Sequence, residues 1–209
     1  MFILGLTGNI ACGKSTVARL LGARGAAHLD ADRLVHELYS DPDFARRVAA
    51  LFPEYSAPLL TPQGQIDRRA LGELVFNDAA ALARLEAFVH PAVAALRDAK
   101  LRQFATRQPP PHTVVLEAVK LIESGQFTRC DAVWCVVCPR QAQLERLVAE
   151  RGLSPEEARR RLRHQPDPQE QRRRVGSTPF AVIANDGSPE LLESKVEQQW
   201  KALNFEKNP

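Results

Sequence analysis

The N-terminal segment of the chain constrains its fold more than any other stretch. An apolar run at 2–6 leads into Gly8, four further residues, and then Gly13-Lys14-Ser15. This spacing matches the G-x-x-x-x-G-K-[ST] pattern, in which small residues let backbone N–H groups wrap around an anion. Apolar positions within 17–21 favour a helix after the loop, and its positive end faces the same anion. We therefore predict a strand, a phosphate-binding loop and a helix, rather than a glycine-rich turn with a surface lysine.

The motif predicts chemical roles for two side chains of this loop. Lys14 is expected to neutralise the β- and γ-phosphates of a nucleoside triphosphate, and the Ser15 hydroxyl is expected to bind Mg²⁺. Cys12 lies beside the helix N-terminus, which can lower the pKa of a thiol. The favoured interpretation of Cys12, however, is a small residue that the loop merely tolerates.

Composition places the chain among soluble globular α/β proteins. It has 209 residues, of which 44% are hydrophobic and 25% charged, and a net charge of +3, values that suit one domain with an inserted lobe. The loop begins too early to follow a signal peptide, and we expect no apolar run long enough to cross a bilayer. The protein is thus predicted to be cytoplasmic, with reduced cysteines. The C-x-x-C at 135–138 lies in an apolar run without a second ligand pair, which disfavours a metal or redox role.

Two carboxylates follow the predicted second strand at 26–29. Asp30 and Asp32 would stand at the carboxyl end of that strand, the edge at which open α/β sheets bind ligands. A carboxylate there can orient an acceptor hydroxyl and take its proton. The alternative is a helix N-cap for the residues that follow. We expect a catalytic role for at least one of the pair.

A helical segment separates the second predicted strand from the third. Apolar residues recur at helical spacing in 67–76, 79–89 and 91–106, with a helix boundary at His90-Pro91. So long an insertion exceeds what a βαβ crossover needs, and it predicts a substrate lobe at 33–111 inserted between core segments 1–32 and 112–209. Asp67 is the expected cap of one helix. It places Arg68 in the first turn, where a cation opposes the helix dipole and favours an anionic ligand.

Three further strands are predicted at 112–117, 131–138 and 179–184, and the last residues, 204–209, are expected to fray. Glu117 ends the first of these strands and is our second choice for a carboxylate that acts near the metal.

The region 140–174 contains ten arginines and no lysine. Ser154-Pro155-Glu156-Glu157 has the form of a capping box with proline at the first helical position. The remaining arginines indicate a phosphate-binding region, because a planar guanidinium can donate two parallel hydrogen bonds to phosphate oxygens. Nucleic-acid binding is the competing interpretation of a basic region. It is disfavoured because aromatic residues are few and the region is also acidic.

Taken together, these stretches resemble the dephospho-CoA kinase family over nearly the whole chain. The order and spacing of the stretches, rather than any one of them, make the likeness specific. The matching stretches are 6–16, Asp30-Ala31-Asp32, 64–71, 85–91, 185–188 and the lid signature in 143–147 and 151–154.

The resemblance implies a P-loop kinase with a five-stranded parallel sheet flanked by helices, a helical coenzyme A lobe and a mobile lid at 140–174 that includes Arg146 and Arg151. It implies ATP and dephospho-CoA as substrates, Mg²⁺ as the metal, and neither nucleic acid nor membrane as a partner. We expect a monomer, with an oligomer left open. Asp32 would act as the base, and the metal would be bound by Ser15 and by Asp30 or Glu117. The implied ATP-binding residues are Asn9, Ile10, Ala11, Cys12, Gly13, Lys14, Ser15, Thr16, Arg140, Arg146, Asn185 and Gly187. The implied acceptor-binding residues are Thr7, Asp32, Arg68, His90 and Glu117.

The chain departs from the family pattern at Asn9, where a glycine is usual, and at Lys120, which replaces an apolar residue. The alternative function is a P-loop kinase for another small acceptor, such as a nucleoside monophosphate or a sugar acid. A GTPase switch is disfavoured, because the chain contains neither N-K-x-D nor D-x-x-G.

Overall fold

A computed structural model describes residues 1–163 and 165–203. The expected fraying of 204–209 lies outside these residues. The chain divides into two compact units. One unit comprises Met1–Leu29 and Phe104–Pro209, and the other comprises Asp30–Gln103.

The first unit is built on a five-stranded sheet, with β1 Phe2–Gly8, β2 Ala27–Asp30, β3 Thr113–Glu117, β4 Ala132–Val137 and β5 Phe180–Ala184. The strands lie in the order β2-β3-β1-β4-β5. Strand β1 pairs in parallel with β3 and β4, and β4 pairs in parallel with β5. The structure therefore confirms the predicted parallel sheet flanked by helices. The helices of this unit are α1 Lys14–Gly22, α6 Arg140–Ala149, α7 Pro155–Arg163, α8 Pro168–Arg174 and α9 Pro189–Ala202, with a short 3₁₀ turn at Gln126–Arg129.

One face of the sheet carries the main core of this unit. Trp134 and Leu6 of the central strands are buried together with Val17 and Leu21 of α1 and Val196 of α9. Burial of such side chains contributes roughly 1.5–3 kcal/mol each. Because neighbouring strands are parallel, their carboxyl ends meet at one edge, and the loop after β1 therefore lies at the edge where α/β sheets bind ligands.

The second unit is helical, with α2 Ala31–Ser40, α3 Pro42–Ala49, α4 Arg68–Asn77 and α5 Ala79–Ala105. Phe44 is buried in this unit, and its ring lies 5.4 Å from that of Phe88 and 6.4 Å from that of Tyr39, centroid to centroid. Asp67 caps α4 as predicted, because its carboxylate accepts hydrogen bonds of 3.0 Å from the N–H groups of Arg69 and Ala70.

The predicted helix boundary at His90-Pro91 is wrong. Pro91 lies inside α5, which continues through it. A proline within a helix removes one backbone hydrogen bond and crowds the preceding turn, at a cost of about 3 kcal/mol. Leu85, Val89 and Val93 are buried on one side of the helix before and after the proline. Their burial, at roughly 1.5–3 kcal/mol per side chain, outweighs that cost.

The expectation that no segment is long and apolar enough to cross a membrane is also wrong for α5. An 18-residue window of this 27-residue helix has a mean hydropathy of 1.3. This finding is weak support for a membrane span, because core helices of soluble proteins have the same length and composition.

Candidate active site

The loop between β1 and α1 has the backbone that the motif predicts. Ala11 has a φ of 57° and Gly13 a φ of 92°, both in the left-handed region, where glycine is unstrained and a residue with a Cβ, such as Ala11, is not. Within the part of the chain that the structure describes, the N–H groups of Ala11, Gly13 and Ser15 donate no hydrogen bond to the protein. Backbone N–H groups of this kind, next to the positive end of α1, form a site for an anion.

Lys14 is the first residue of α1, and its side chain returns across the loop. Its Nζ donates hydrogen bonds to the carbonyl oxygens of Gly8 at 2.9 Å and Asn9 at 3.3 Å. The ammonium group is therefore held at the loop, where it can neutralise a phosphate. Ser15 and Thr16 follow in the first turn of α1, and Ser15 is exposed.

Three side chains from outside the loop, each with an N–H donor, bind further loop carbonyls. Nδ2 of Asn185 donates to the carbonyl oxygen of Cys12 at 2.9 Å, and an Arg146 guanidinium nitrogen donates to that of Ala11 at 3.0 Å. The sequence suggested both as ATP ligands, and here they contact the loop itself. Nε2 of Gln143 donates to the carbonyl oxygen of Ile10 at 2.8 Å. The sequence placed Gln143 in the lid signature at 143–147 but gave it no role in the site, because no local pattern indicates a contact between residues 133 positions apart.

Further contacts join the loop to the segments around α7. The Ile10 N–H donates to Oε1 of Gln165 at 2.8 Å, and Nδ2 of Asn9 donates to the carbonyl oxygen of Pro166 at 3.3 Å. Ile10 also packs against a small apolar cluster centred on Leu147 and Leu162. The helix α7 begins with the predicted capping box, in which the Glu157 carboxylate accepts hydrogen bonds from the Ser154 N–H at 3.0 Å and hydroxyl at 2.8 Å.

Cys12 is buried, and its Sγ lies 3.4 Å from that of Cys138. Burial, followed by the hydrogen bond to Cys138, raises the pKa of Cys12 to about 12. The pKa of Cys12 is therefore raised and not lowered, because removal of the thiolate from water has the larger effect.

Burial also raises the pKa of Cys135 to about 12. At pH 8, iodoacetamide should therefore alkylate Cys12 and Cys135 more slowly than the half-buried Cys130, because the thiolate is the reactive form. Peptide mass spectrometry after timed labelling measures the rates, with urea-unfolded protein as the control in which the difference disappears. Equal labelling of Cys12 and Cys130 in the folded protein would contradict this assignment.

Glu117 and Thr7, two residues implied as acceptor ligands, lie in buried positions of the sheet. Oε2 of Glu117 lies 2.9 Å from Nε2 of His28, and the Thr7 hydroxyl donates to the carbonyl oxygen of Val119 at 3.2 Å. Lys120, the departure from the family pattern, is exposed rather than placed in an apolar environment.

The residues present fit a magnesium ion bound with nucleotide. The described residues contain no group of three or more His, Cys, Asp or Glu side chains suited to hold a metal. Mg²⁺ in kinases needs only one or two protein oxygens, because water and substrate phosphates supply the other ligands. The hydroxyl of Ser15 meets that requirement.

In the helical unit, Asp30 at the end of β2 and Asp32 just after it have different roles in α2. Asp30 caps α2, because its Oδ1 accepts hydrogen bonds from the N–H groups of Asp32 at 2.9 Å and Arg33 at 3.4 Å. Asp30 is therefore the N-cap that the alternative interpretation required. Asp32 is exposed in the first turn of the same helix.

Most of the remaining predicted residues lie on the surface. Arg68 is exposed at the start of α4, and His90 is exposed in the middle of α5. The positive charge of Arg68 acts to lower the pKa of Tyr39, but burial has the larger effect, so this pKa is raised. The other exposed predicted residues are Arg140, Arg151 and Gly187.

We predict that Gly13→Ala will weaken ATP binding by at least about tenfold, because it adds steric overlap to a backbone strain of about 1–2 kcal/mol. A Cβ at Gly13 would overlap Nδ2 of Asn185, the group that binds the Cys12 carbonyl. Gly25→Ala is the matched control, since Gly25 has a φ of 89° but open space around it. Isothermal titration with MgATP measures both variants. Equal affinities would contradict the prediction.

A phosphate loop between the first strand and first helix of a five-stranded parallel sheet defines this protein as a P-loop nucleotide-binding protein. The sequence matches the family model "Dephospho-CoA kinase" over residues 2–190. The chain therefore belongs to the dephospho-CoA kinase family.

Individual relatives support this membership over the full length of the chain. A dephospho-CoA kinase of Geobacter sulfurreducens is 42% identical over 201 residues, which cover 96% of this chain and 98% of the relative. A crystal structure of a Thermus thermophilus protein is 37% identical with a TM-score of 0.77, covering 100% of this chain and 98% of the other. A dephospho-CoA kinase structure from Campylobacter jejuni is 26% identical with a TM-score of 0.72, covering 98% of each chain.

Proposed function

We propose that the protein transfers the γ-phosphoryl group of ATP to the ribose 3′-hydroxyl of dephospho-CoA, which yields coenzyme A. The observation that carries this proposal is the phosphate loop with Lys14 held across it, in a chain that matches the family over residues 2–190. Phosphoryl transfer depends mainly on positioning and charge stabilisation, so such a loop supplies much of what the reaction needs.

The loop and Lys14 bind the nucleotide. The N–H groups of Ala11, Gly13 and Ser15 donate hydrogen bonds to phosphate oxygens, and the Lys14 ammonium stabilises negative charge that shifts during transfer. The Ser15 hydroxyl contributes to the Mg²⁺ site, and the bound ion supplies further charge neutralisation on the phosphates.

Asp32 accepts the proton of the acceptor hydroxyl. Because Asp30 already caps α2, the carboxylate of Asp32 is not needed for that structural role. A carboxylate is a suitable base for a hydroxyl that attacks a phosphoryl group. Arg68 and His90, both exposed in the same unit, bind the acceptor, and the cationic Arg68 suits its phosphates.

Arg140 and Arg151 act in a lid that excludes water from the transfer. Both are exposed in a region that contains ten arginines between residues 140 and 174. Excluding water favours transfer to the acceptor over ATP hydrolysis. Arg146, which binds the Ala11 carbonyl, connects this region to the phosphate loop.

Arg151→Ala should therefore lower transfer by about tenfold or more, since charge-assisted hydrogen bonds contribute about 1.5–3 kcal/mol. The ratio of ATP hydrolysed to phosphate transferred should rise at the same time. Parallel assays of phosphate release and coenzyme A formation give this ratio, with the exposed Arg102→Ala in α5 as the control. A ratio equal to that of the wild type would show that Arg151 does not help to exclude water.

A coupled assay of ADP formation tests the choice of acceptor. Dephospho-CoA should support turnover far better than nucleoside monophosphates or sugar acids at equal concentration. Faster turnover with one of those acceptors would assign the same P-loop chemistry to a different substrate.

A further inference from the structure

The loop carbonyls of three consecutive residues each accept a hydrogen bond from a different side chain. Gln143 binds the carbonyl of Ile10, Arg146 that of Ala11 and Asn185 that of Cys12, at 2.8, 3.0 and 2.9 Å. These donors come from α6 and from the residue after β5, so two separate elements hold the loop.

These contacts determine where the loop N–H groups point. A peptide unit is planar and trans, so its C=O and the N–H of the next residue point in opposite directions. Gln143 therefore sets the direction of the Ala11 N–H, and Asn185 sets that of the Gly13 N–H. The N–H of the Ala11–Cys12 peptide, which lies between these two, donates to the carbonyl oxygen of Asn9 at 3.3 Å and closes the turn. Ala11 and Gly13 are two of the residues whose N–H groups donate to no other group within the described residues.

The Ile10–Ala11 peptide has particular need of such a contact. Ala11 has a φ of 57°, and a non-glycine residue in this region persists only where its surroundings hold it. Without a donor on the Ile10 carbonyl, rotation of this peptide would turn an oxygen toward the phosphate in place of an N–H group. Gln143 is 6% exposed, so water does not readily replace its amide as the donor.

We infer that Gln143 is a positioning residue for ATP, acting through the Ile10–Ala11 peptide. This inference rests on the proposed nucleotide site and adds a residue outside the G-x-x-x-x-G-K-[ST] motif. Its Nε2 also lies 3.3 Å from Sγ of Cys12, so the amide contacts the loop at two points. In this role Gln143 sets the direction of a phosphate-binding N–H, which requires no contact with the acceptor or its hydroxyl.

The test compares Gln143→Met with Gln141→Met. Methionine keeps the length of glutamine but has no N–H donor. Gln141 is exposed on the same helix, with Nε2 on Glu145 at 2.8 Å, and provides the matched control. Gln143→Met should raise both the Kd and the KM for MgATP by about tenfold, the effect of one lost hydrogen bond to a buried group. The KM for dephospho-CoA should stay close to that of Gln141→Met.

An unchanged Kd for MgATP in Gln143→Met would overturn the inference. So would an equal rise in the KM values of both substrates, because that result indicates a general loss of structure. If Gln143→Met does not fold, Gln143→Asn, whose shorter side chain withdraws the donor, is measured by the same criteria. Isothermal titration with MgATP needs no acceptor. Failure of the inference is thus distinguishable from failure of the proposed reaction, which would appear as absent turnover of the wild type.

Discussion

Replacing Lys14 by methionine is expected to lower kcat/KM on the order of 10³-fold, the upper range for loss of one group that stabilises transition-state charge. Methionine fills a similar volume but carries no charge. The side chain of Lys14 now binds the carbonyls of Gly8 and Asn9, so its loss also removes contacts that hold the loop. Steady-state kinetics at saturating dephospho-CoA measure the effect.

Lys201→Met is the control for this substitution. The exposed Lys201 lies in the last turn of α9 and pairs with the partly exposed Glu197 at 3.1 Å, and surface pairs of this kind contribute about 0–1 kcal/mol to stability. The control should retain wild-type turnover. If Lys14→Met retained more than about a tenth of the activity, the loop would not carry the charge stabilisation assigned to it.

Asp32→Asn should lower kcat by about 10²-fold or more while the affinity for ATP stays nearly unchanged. The amide cannot accept the hydroxyl proton, and general-base catalysis is worth about 10²–10⁴-fold. Pre-steady-state measurement of the transfer step, together with titration of MgATP, separates the two effects.

Asp43→Asn is a matched control, because Asp43 is the exposed carboxylate in the first turn of α3, as Asp32 is in α2. Both substitutions remove a negative charge that stabilises a helix N-terminus by about 0.3–1 kcal/mol. A similar small loss of stability is expected in both variants, with loss of turnover only in Asp32→Asn. Equal kcat values for the two would exclude Asp32 as the base.

The elements that the sequence predicted well have strong local signals. The apolar run at 131–138 predicted a strand, and residues 132–137 of it form β4, which is buried at five of its six positions. The capping signals at Asp67 and Ser154 placed the starts of α4 and α7 correctly. The helix boundary predicted at Pro91 was wrong. Proline usually ends a helix, but apolar side chains buried before and after Pro91 stabilise α5.

Contacts that depend on distant parts of the chain were not predictable from local pattern. Gln143 and Ile10 are 133 residues apart, and Asn185 and Cys12 are 173 apart. The motif indicated that the loop exists, but only the fold brings α6 and the end of β5 against its carbonyls. The upward shift of the Cys12 pKa also depends on distant parts of the chain. The sequence shows the nearby helix N-terminus, whereas the burial that raises this pKa comes from tertiary packing.

The position of the new phosphate on the product shows whether the protein catalyses the proposed reaction. The purified protein is incubated with MgATP and dephospho-CoA, and the product is examined by ³¹P NMR and mass spectrometry. We predict one new phosphomonoester, on the ribose 3′-oxygen, formed in equal amount to ADP. ATP consumption without that monoester, or a phosphate on another oxygen, would contradict the proposed reaction.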